Sequence, residues 1–341
     1  MKKLDQSEKA KRYRRARVRY CAKRQTKKWK DRKKHSKSNA RKISINKKRQ
    51  LKKPYIPLPA PKEFSLIENT DKVLAYFEKA RTMMKDGTNI ELDISKVDSL
   101  TAPTIALMIA SINDKNFLFD SHVHGNSPNK PELKKLFTES GFYDHVKTRG
   151  SFVPSKGNML HKEVDRKVVS EIAKEATLTG TRHVFNNEKP FDPVYDTLVE
   201  CMQNTNNHAD LLSKGECYWW LYVYSDPNKK VTSYSFLDLG VGIFESIFVK
   251  NYWKRIIKKT RIHKNISLVD DLLSGKIGSR VDKDRAIRGK GIPQIVGHSK
   301  SKNVGKFFII ANDVKINLKT GGRDQLKHKL RGTFLYWELI N

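Results

Sequence analysis

Between residues 70 and 86 the apolar positions Val73, Leu74, Phe77, Ala80 and Met84 recur at helical spacing, and Gly87 stops the helix they predict. IELDI at 90–94 reads as a short strand and SLTAPTIALMIASI at 99–112 as an apolar helix. NFLFDSHV at 116–123 reads as a strand, and PELKKLFTESGFYDHV at 131–146 as a helix. This alternation predicts an α/β module over 62–150, with a partly parallel sheet covered by helices.

The second half has a different rhythm. In FDPVYDTLVECMQNTNNHA at 191–209, Val194, Thr197, Leu198, Cys201 and Met202 form one apolar helix face. CYWWLYVYSD at 217–226 and VTSYSFLDLGVGI at 231–243 are apolar strands joined by a DPNKK turn. RGKGIPQIV at 288–296 opens a helix, and RGTFLYWELI at 331–340 is a strand. In the stretch 244–288, Phe244, Ile247, Phe248, Trp253, Ile256 and Ile257 suit an amphipathic helix with a basic opposite side. The following GSRVDKDRAIRGKG is polar and lid-like. The expected fold class is therefore α/β combined with α+β.

Charge changes the picture at the N-terminal end. The chain of 341 residues carries 69 Lys+Arg against 36 Asp+Glu, a formal net charge of +33. Residues 1–53 alone hold about +22 of it, with Asp5, Glu8 and Asp31 as their acids. Aliphatic residues are scarce there, so the segment cannot bury a core. Tyr13, Tyr20 and Trp29 are interleaved with the bases. A basic arm that turns helical on a polyanion is expected, with RNA or DNA as partner; the bland alternative is a solubilising tail. PYIPLPAP at 54–61 reads as a polyproline-like spacer marking the first domain boundary.

The remaining composition excludes several classes. Apolar residues make up 38%, enough for a core. No run of 18 apolar residues exists and the first residues lack a signal-peptide core, so a cytoplasmic protein without a membrane span is expected. Cys21, Cys201 and Cys217 form no CxxC pair, which excludes a disulfide framework and a Cys-rich zinc module. His122 and His124 alternate as HxH, but no third ligand stands nearby, so ordinary surface histidines are expected.

Candidate chemistry concentrates after residue 190. Glu200 and Asn204 are four apart on one helix side, and Asn204 and His208 repeat the spacing. An amide oxygen there can ligate Mg²⁺, and a carboxylate can orient a water. Asp238 ends a strand, where it can accept from an exocyclic amine, and Gly240 and Gly242 let the backbone approach a flat base. Gly289 and Gly291 open a helix whose bare N–H groups suit phosphates.

This ordered set resembles the GHKL (Bergerat) ATPase family: histidine kinases, gyrase B-type topoisomerases, MutL-type repair proteins, heat-shock chaperones and anti-sigma-factor serine kinases. ECMQNTNNHA from Glu200 resembles its N box, and Asp238–Ile243 its DxGxGI box. Gly289–Ile292 resembles the second glycine box, and Gly332-Thr333 the start of its closing strand. The resemblance covers 165–341 and implies an α/β sandwich that binds ATP and Mg²⁺. It implies Asn204 as Mg²⁺ ligand, Asp238 as reader of the adenine amine, and Gly240, Gly242, Gly289 and Gly291 as the residues that let the chain wrap the nucleotide. Thr333 would support the adenine end, His208, Ile243 and Ile292 belong to the same boxes, and Glu200 would be the general base. Arg288 and Lys290 would contact phosphates or be solvated lid charge.

Residues 62–150 resemble a STAS domain, the fold of anti-sigma-factor antagonists, in DISKVDSLTAPTIALM with Asp93 and Asp98, and in TESGFYDHV at 138–146. The family's Ser-Ser-Gly phosphosite is replaced by Ser99, Leu100 and Thr101, so docking or self-association is the expected role. Three functions compete. One is a nucleotide-gated ATPase that contacts nucleic acid through its arm, in a bacterial regulatory or defence setting. Another is an anti-sigma-type protein serine kinase with a fused STAS-like module. The third is a non-catalytic ATP-binding interaction module. A histidine kinase is disfavoured, since no phosphoacceptor helix precedes the N box and His183 lacks an acidic neighbour.

Overall fold

The computed structural model describes residues 53–148, 152–154, 157–164, 168–208, 218–248, 264–276, 278–279 and 291–341, the side chains of 206–208, 247–248 and 278–279 excepted. The basic arm and most of the lid-like stretch lie outside them. The chain divides after Pro54 into two units, and everything below concerns the second, Tyr55–Asn341.

The first half of that unit runs β1 (Tyr55–Pro59), β2 (Glu63–Phe64), α1 (Thr70–Lys85), β3 (Asn89–Asp93), β4 (Ser99–Leu100), α2 (Ala102–Ile112), α3 (Lys115–Leu118), β5 (Val123–Gly125) and α4 (Pro131–Thr138). Strands β1, β3 and β5 form a parallel sheet in that order, and β2 pairs with β4, also parallel. Three expectations need correction. The proline-rich spacer is a β-strand, in register with β3 from Tyr55↔Asn89 to Pro59↔Asp93. It lies at the sheet edge, where prolines lacking an N–H are tolerated, and it buries Leu58. The strand expected at 116–123 begins instead with the turn of α3. The Asp114 side chain accepts from Asn116 N as an N-cap, and Phe119 and Asp120 at positive φ then end the turn. The helix expected at 131–146 stops at Thr138, because Gly141 at φ 84° breaks it before a 3₁₀ turn at Phe142–His145.

The second half runs β6 (Asn158–Glu163), α5 (Ser170–Phe185), α6 (Asp192–His208), β7 (Trp219–Ser225), β8 (Val231–Asp238), α7 (Ile243–Ser246), β9 (Ile247–Phe248), α8 (Val269–Leu273), β10 (Gly278–Ser279), α9 (Gly291–Ser299), β11 (Val304–Asn317) and β12 (Arg323–Ile340). Five of these strands form an antiparallel sheet in the order β11-β12-β8-β7-β6. The protein is thus mixed α/β, with parallel and antiparallel sheets.

Both faces of the five-stranded sheet are covered, which explains why its strands read as continuous apolar runs instead of alternating. Trp219, Leu221, Val223 and Phe236 face a core shared with Ala176 of α5, Leu198 and Met202 of α6 and Ile295 of α9. Their neighbours Trp220, Tyr222 and Leu237 face the other core, built with Val73 and Phe77 of α1 and Ile105 and Ile109 of α2. Each of these large side chains buried contributes roughly 1.5–3 kcal/mol. Among the described residues no helix is long and apolar enough to cross a membrane.

Candidate functional site

Helix α6 is pinned by its apolar stripe: Val194, Leu198, Cys201 and Met202 are buried against the sheet. That leaves Glu200 and Asn204, one turn apart, half-buried on a neighbouring side. The first residue of α9, Gly291, sits directly against both. A Cβ there would lie 2.6 Å from Glu200 Oε2 and 3.3 Å from the Asn204 amide. A larger residue there would oblige the Glu200 carboxylate to move aside. Thr197 Oγ1, one turn before Glu200, and His298 Nδ1, two turns beyond Gly291, lie 3.2 Å apart and tie α9 to α6, and Ile292 packs into the same core.

Asp238 closes β8 opposite Thr333 of β12. Its Oδ1 accepts from Gly240 N at 2.9 Å, and the Thr333 hydroxyl and backbone N–H also donate to the carboxylate. Burial outweighs these bonds and pushes the Asp238 carboxyl up to about 6. The Cys201 thiol lies buried within reach of both acidic groups: burial, then Glu200 and Asp238, push it well above its ordinary value. It is a packing residue, not a nucleophile. The Glu200 carboxyl is also raised, by burial first and then by Asp196.

A residue not singled out in the sequence holds the glycine loop. Asn312, at φ 53° in β11, donates from Nδ2 to Val241 O at 3.0 Å and accepts at Oδ1 from Phe244 N at 3.2 Å. It thereby clamps the 241–244 segment that contains Gly242 and the half-buried Ile243. The only sign in the sequence is the Asn-Asp pair interrupting the apolar run FFIIANDVKI. Gly242 (φ 81°) and Gly332 (φ 97°) complete the corner. A Cβ on Gly332 would strike the Asp238 carbonyl. Gly332→Ala combines that clash with a left-handed backbone, so it should lower stability by about 2–4 kcal/mol. The shift in urea midpoint measures this, and an unshifted midpoint would show the corner to be soft.

Thus Glu200, Asn204, Gly291 and Ile292 are brought together, as are Asp238, Gly240, Gly242, Ile243 and Thr333, with Cys201 between the two groups. Arg288, Gly289 and Lys290 lie outside the described residues, as does the His208 side chain. Among the described residues no group of three or more His, Cys, Asp or Glu could hold a metal ion. One amide beside one carboxylate nevertheless fits Mg²⁺, which usually arrives with phosphates and keeps several waters. Elsewhere, His124 stacks on Tyr55 at 3.7 Å between ring centres. Asp93 accepts from the Ser95 and Asn126 side chains, which lowers its carboxyl pKa and fixes the loop after β3. No family model matches the chain, and no curated protein matches its sequence.

Proposed function

We propose that this protein binds Mg·ATP between α6, the loop after β8 and the start of α9, and that nucleotide state gates its contact with nucleic acid through the basic arm. The observation that carries the reading is convergence. Two groups, each joining segments far apart in sequence, border the Cys201 thiol: Glu200/Asn204 with Gly291, and Asp238–Ile243 with Gly332-Thr333. Asp238 would accept from the adenine amine, and the α9 N-terminus would face the phosphates. Asn204 would hold Mg²⁺ through its amide oxygen. The bound ion would neutralise phosphate charge. Glu200, raised in pKa by burial, would take the proton of an attacking water.

Asp238→Asn is the direct test. Losing a hydrogen bond to a charged acceptor costs roughly 1.5–3 kcal/mol, or about ten- to a hundredfold in Mg·ATP affinity. Wild-type affinity should itself fall as pH drops below about 6, where the carboxyl takes up a proton, and the variant should lose that dependence. The stability sign is opposite. A carboxyl raised in the folded state favours folding at low pH and loses that contribution as pH rises through its folded value. Asp238→Asn at neutral pH should therefore not lower the melting temperature. Unchanged nucleotide affinity in the folded variant would remove the adenine assignment.

A further inference from the structure

On the sheet face opposite Glu200 and Asn204, a cavity of about 750 Å³ opens between α1, α2, α3 and β12. That volume suits a small organic molecule. Its floor is apolar: Leu74, Phe77, Leu107, Phe117, Leu239 and Leu330. Its charges are unevenly satisfied. Buried Asp114 is paired with Arg331 at 2.8 Å, Glu78 with His328 at 2.6 Å, and Lys329 stands 4.0 Å from Asp313. Arg81 and Lys327 remain, both exposed at the mouth and in no ion pair among the described residues; the exposed acids of the lining are Glu78, hydrogen-bonded to His328, and Glu245. The Arg81 guanidinium lies 5.2 Å from the centre of the Phe119 ring, which strips water from one of its faces.

We propose that this cavity is a second ligand site, for an amphipathic organic anion: an aromatic or acyl body carrying one anionic headgroup. The body occupies the leucine and phenylalanine floor, and the headgroup meets Arg81 and Lys327. A neutral ligand leaves both cations unanswered, and a cationic peptide is repelled by them. One wall consists of Leu239, Gly240 and Val241, the loop whose Gly240 N donates to Asp238. An occupant therefore touches the segment that follows Asp238. The site itself does not depend on the nucleotide reading.

The test is fluorescence titration of the full chain with 8-anilinonaphthalene-1-sulfonate, an aromatic anion that brightens in apolar surroundings, and with uncharged N-phenyl-1-naphthylamine. Wild-type protein should bind the sulfonate saturably at one site and the neutral probe more weakly. Arg81→Gln/Lys327→Gln, two exposed changes that leave the core intact, should weaken the sulfonate at least tenfold. Ser111→Trp, which fills the cavity from α2, should abolish it. The arm variant Lys27→Gln/Lys28→Gln should bind as wild type, and saturating Mg·ATP should leave the sulfonate bound. Wild-type affinity in Arg81→Gln/Lys327→Gln overturns the proposal. So does displacement by Mg·ATP, which would put the probe in the nucleotide site, or an equal loss in the arm variant, which would make it a simple counterion.

Discussion

Glu200→Ala should retain Mg·ATP and lose turnover by about 10²-fold or more, the usual contribution of a positioned general base. Its carboxylate Oε2 stands 2.6 Å from where a Cβ on Gly291 would fall, so it faces the N-terminus of α9, where phosphates would lie. Burial and Asp196 both raise its pKa, which moves it toward the operating range of a base at neutral pH. Asn204→Ala should do the reverse, weakening the Mg²⁺-dependent part of binding. Glu200→Gln keeps the side-chain volume beside Gly291 and should match Glu200→Ala in rate, so that packing and proton transfer are distinguished. Labelled ATP scored for ADP release and for label on protein reads all three variants. Wild-type hydrolysis in Glu200→Ala would end the base assignment. Label retained on the protein would move the function to phosphotransfer.

The elements with strong local periodicity were legible. Val73, Leu74, Phe77, Ala80 and Met84 marked α1, and Val194, Leu198, Cys201 and Met202 marked α6. Misreadings arose where one residue type serves two structures. In PYIPLPAP the extended backbone that proline favours suits a free spacer and an edge strand equally, and only pairing with β3 decides. In DKNFLF the aromatic run suggested a strand, yet Asp114 caps a helical turn and Phe117 buries from it. Strand β11 went unread, although its Phe307, Ile309 and Ile310 are buried in the two cores.

The candidate site divides along the same line. Glu200, Asn204, Asp238, Gly240, Gly242 and Gly291 could be picked as candidates because spacing along one helix or one loop is a local property. Asn312 was not, because its role is to bind a loop some 70 positions away in sequence. Nor could sequence reveal that α1 and α2 roof the reverse face of the same sheet. That arrangement turns two modules with separate signatures into one packed body, and it creates the cavity beside Leu239.

Deleting residues 1–53 should leave nucleotide binding intact and remove most of the affinity for nucleic acid. The arm holds about +22 of the chain's +33, and the remainder is a mixed surface in which Lys130, Arg182, Arg323 and Arg331 are already paired with carboxylates. The cut falls just before the unit Tyr55–Asn341, so the layers from Tyr55 onward keep their cores. Each phosphate neutralised on duplex DNA contributes about −0.9 to the slope of log affinity against log salt. An arm engaging a third of its bases therefore gives a slope of about −6 to −8, or roughly 10³- to 10⁵-fold between low and near-physiological salt. The truncated chain should show a much shallower slope on both an RNA and a DNA duplex. Stacking by Tyr13, Tyr20 and Trp29 would add a preference for single strands over duplex that survives high salt, since stacking is not screened. If full-length and truncated chains give matching slopes, the arm is a solubilising tail, and nucleotide gating of nucleic-acid contact falls with it while the Asp238 test stands unaffected.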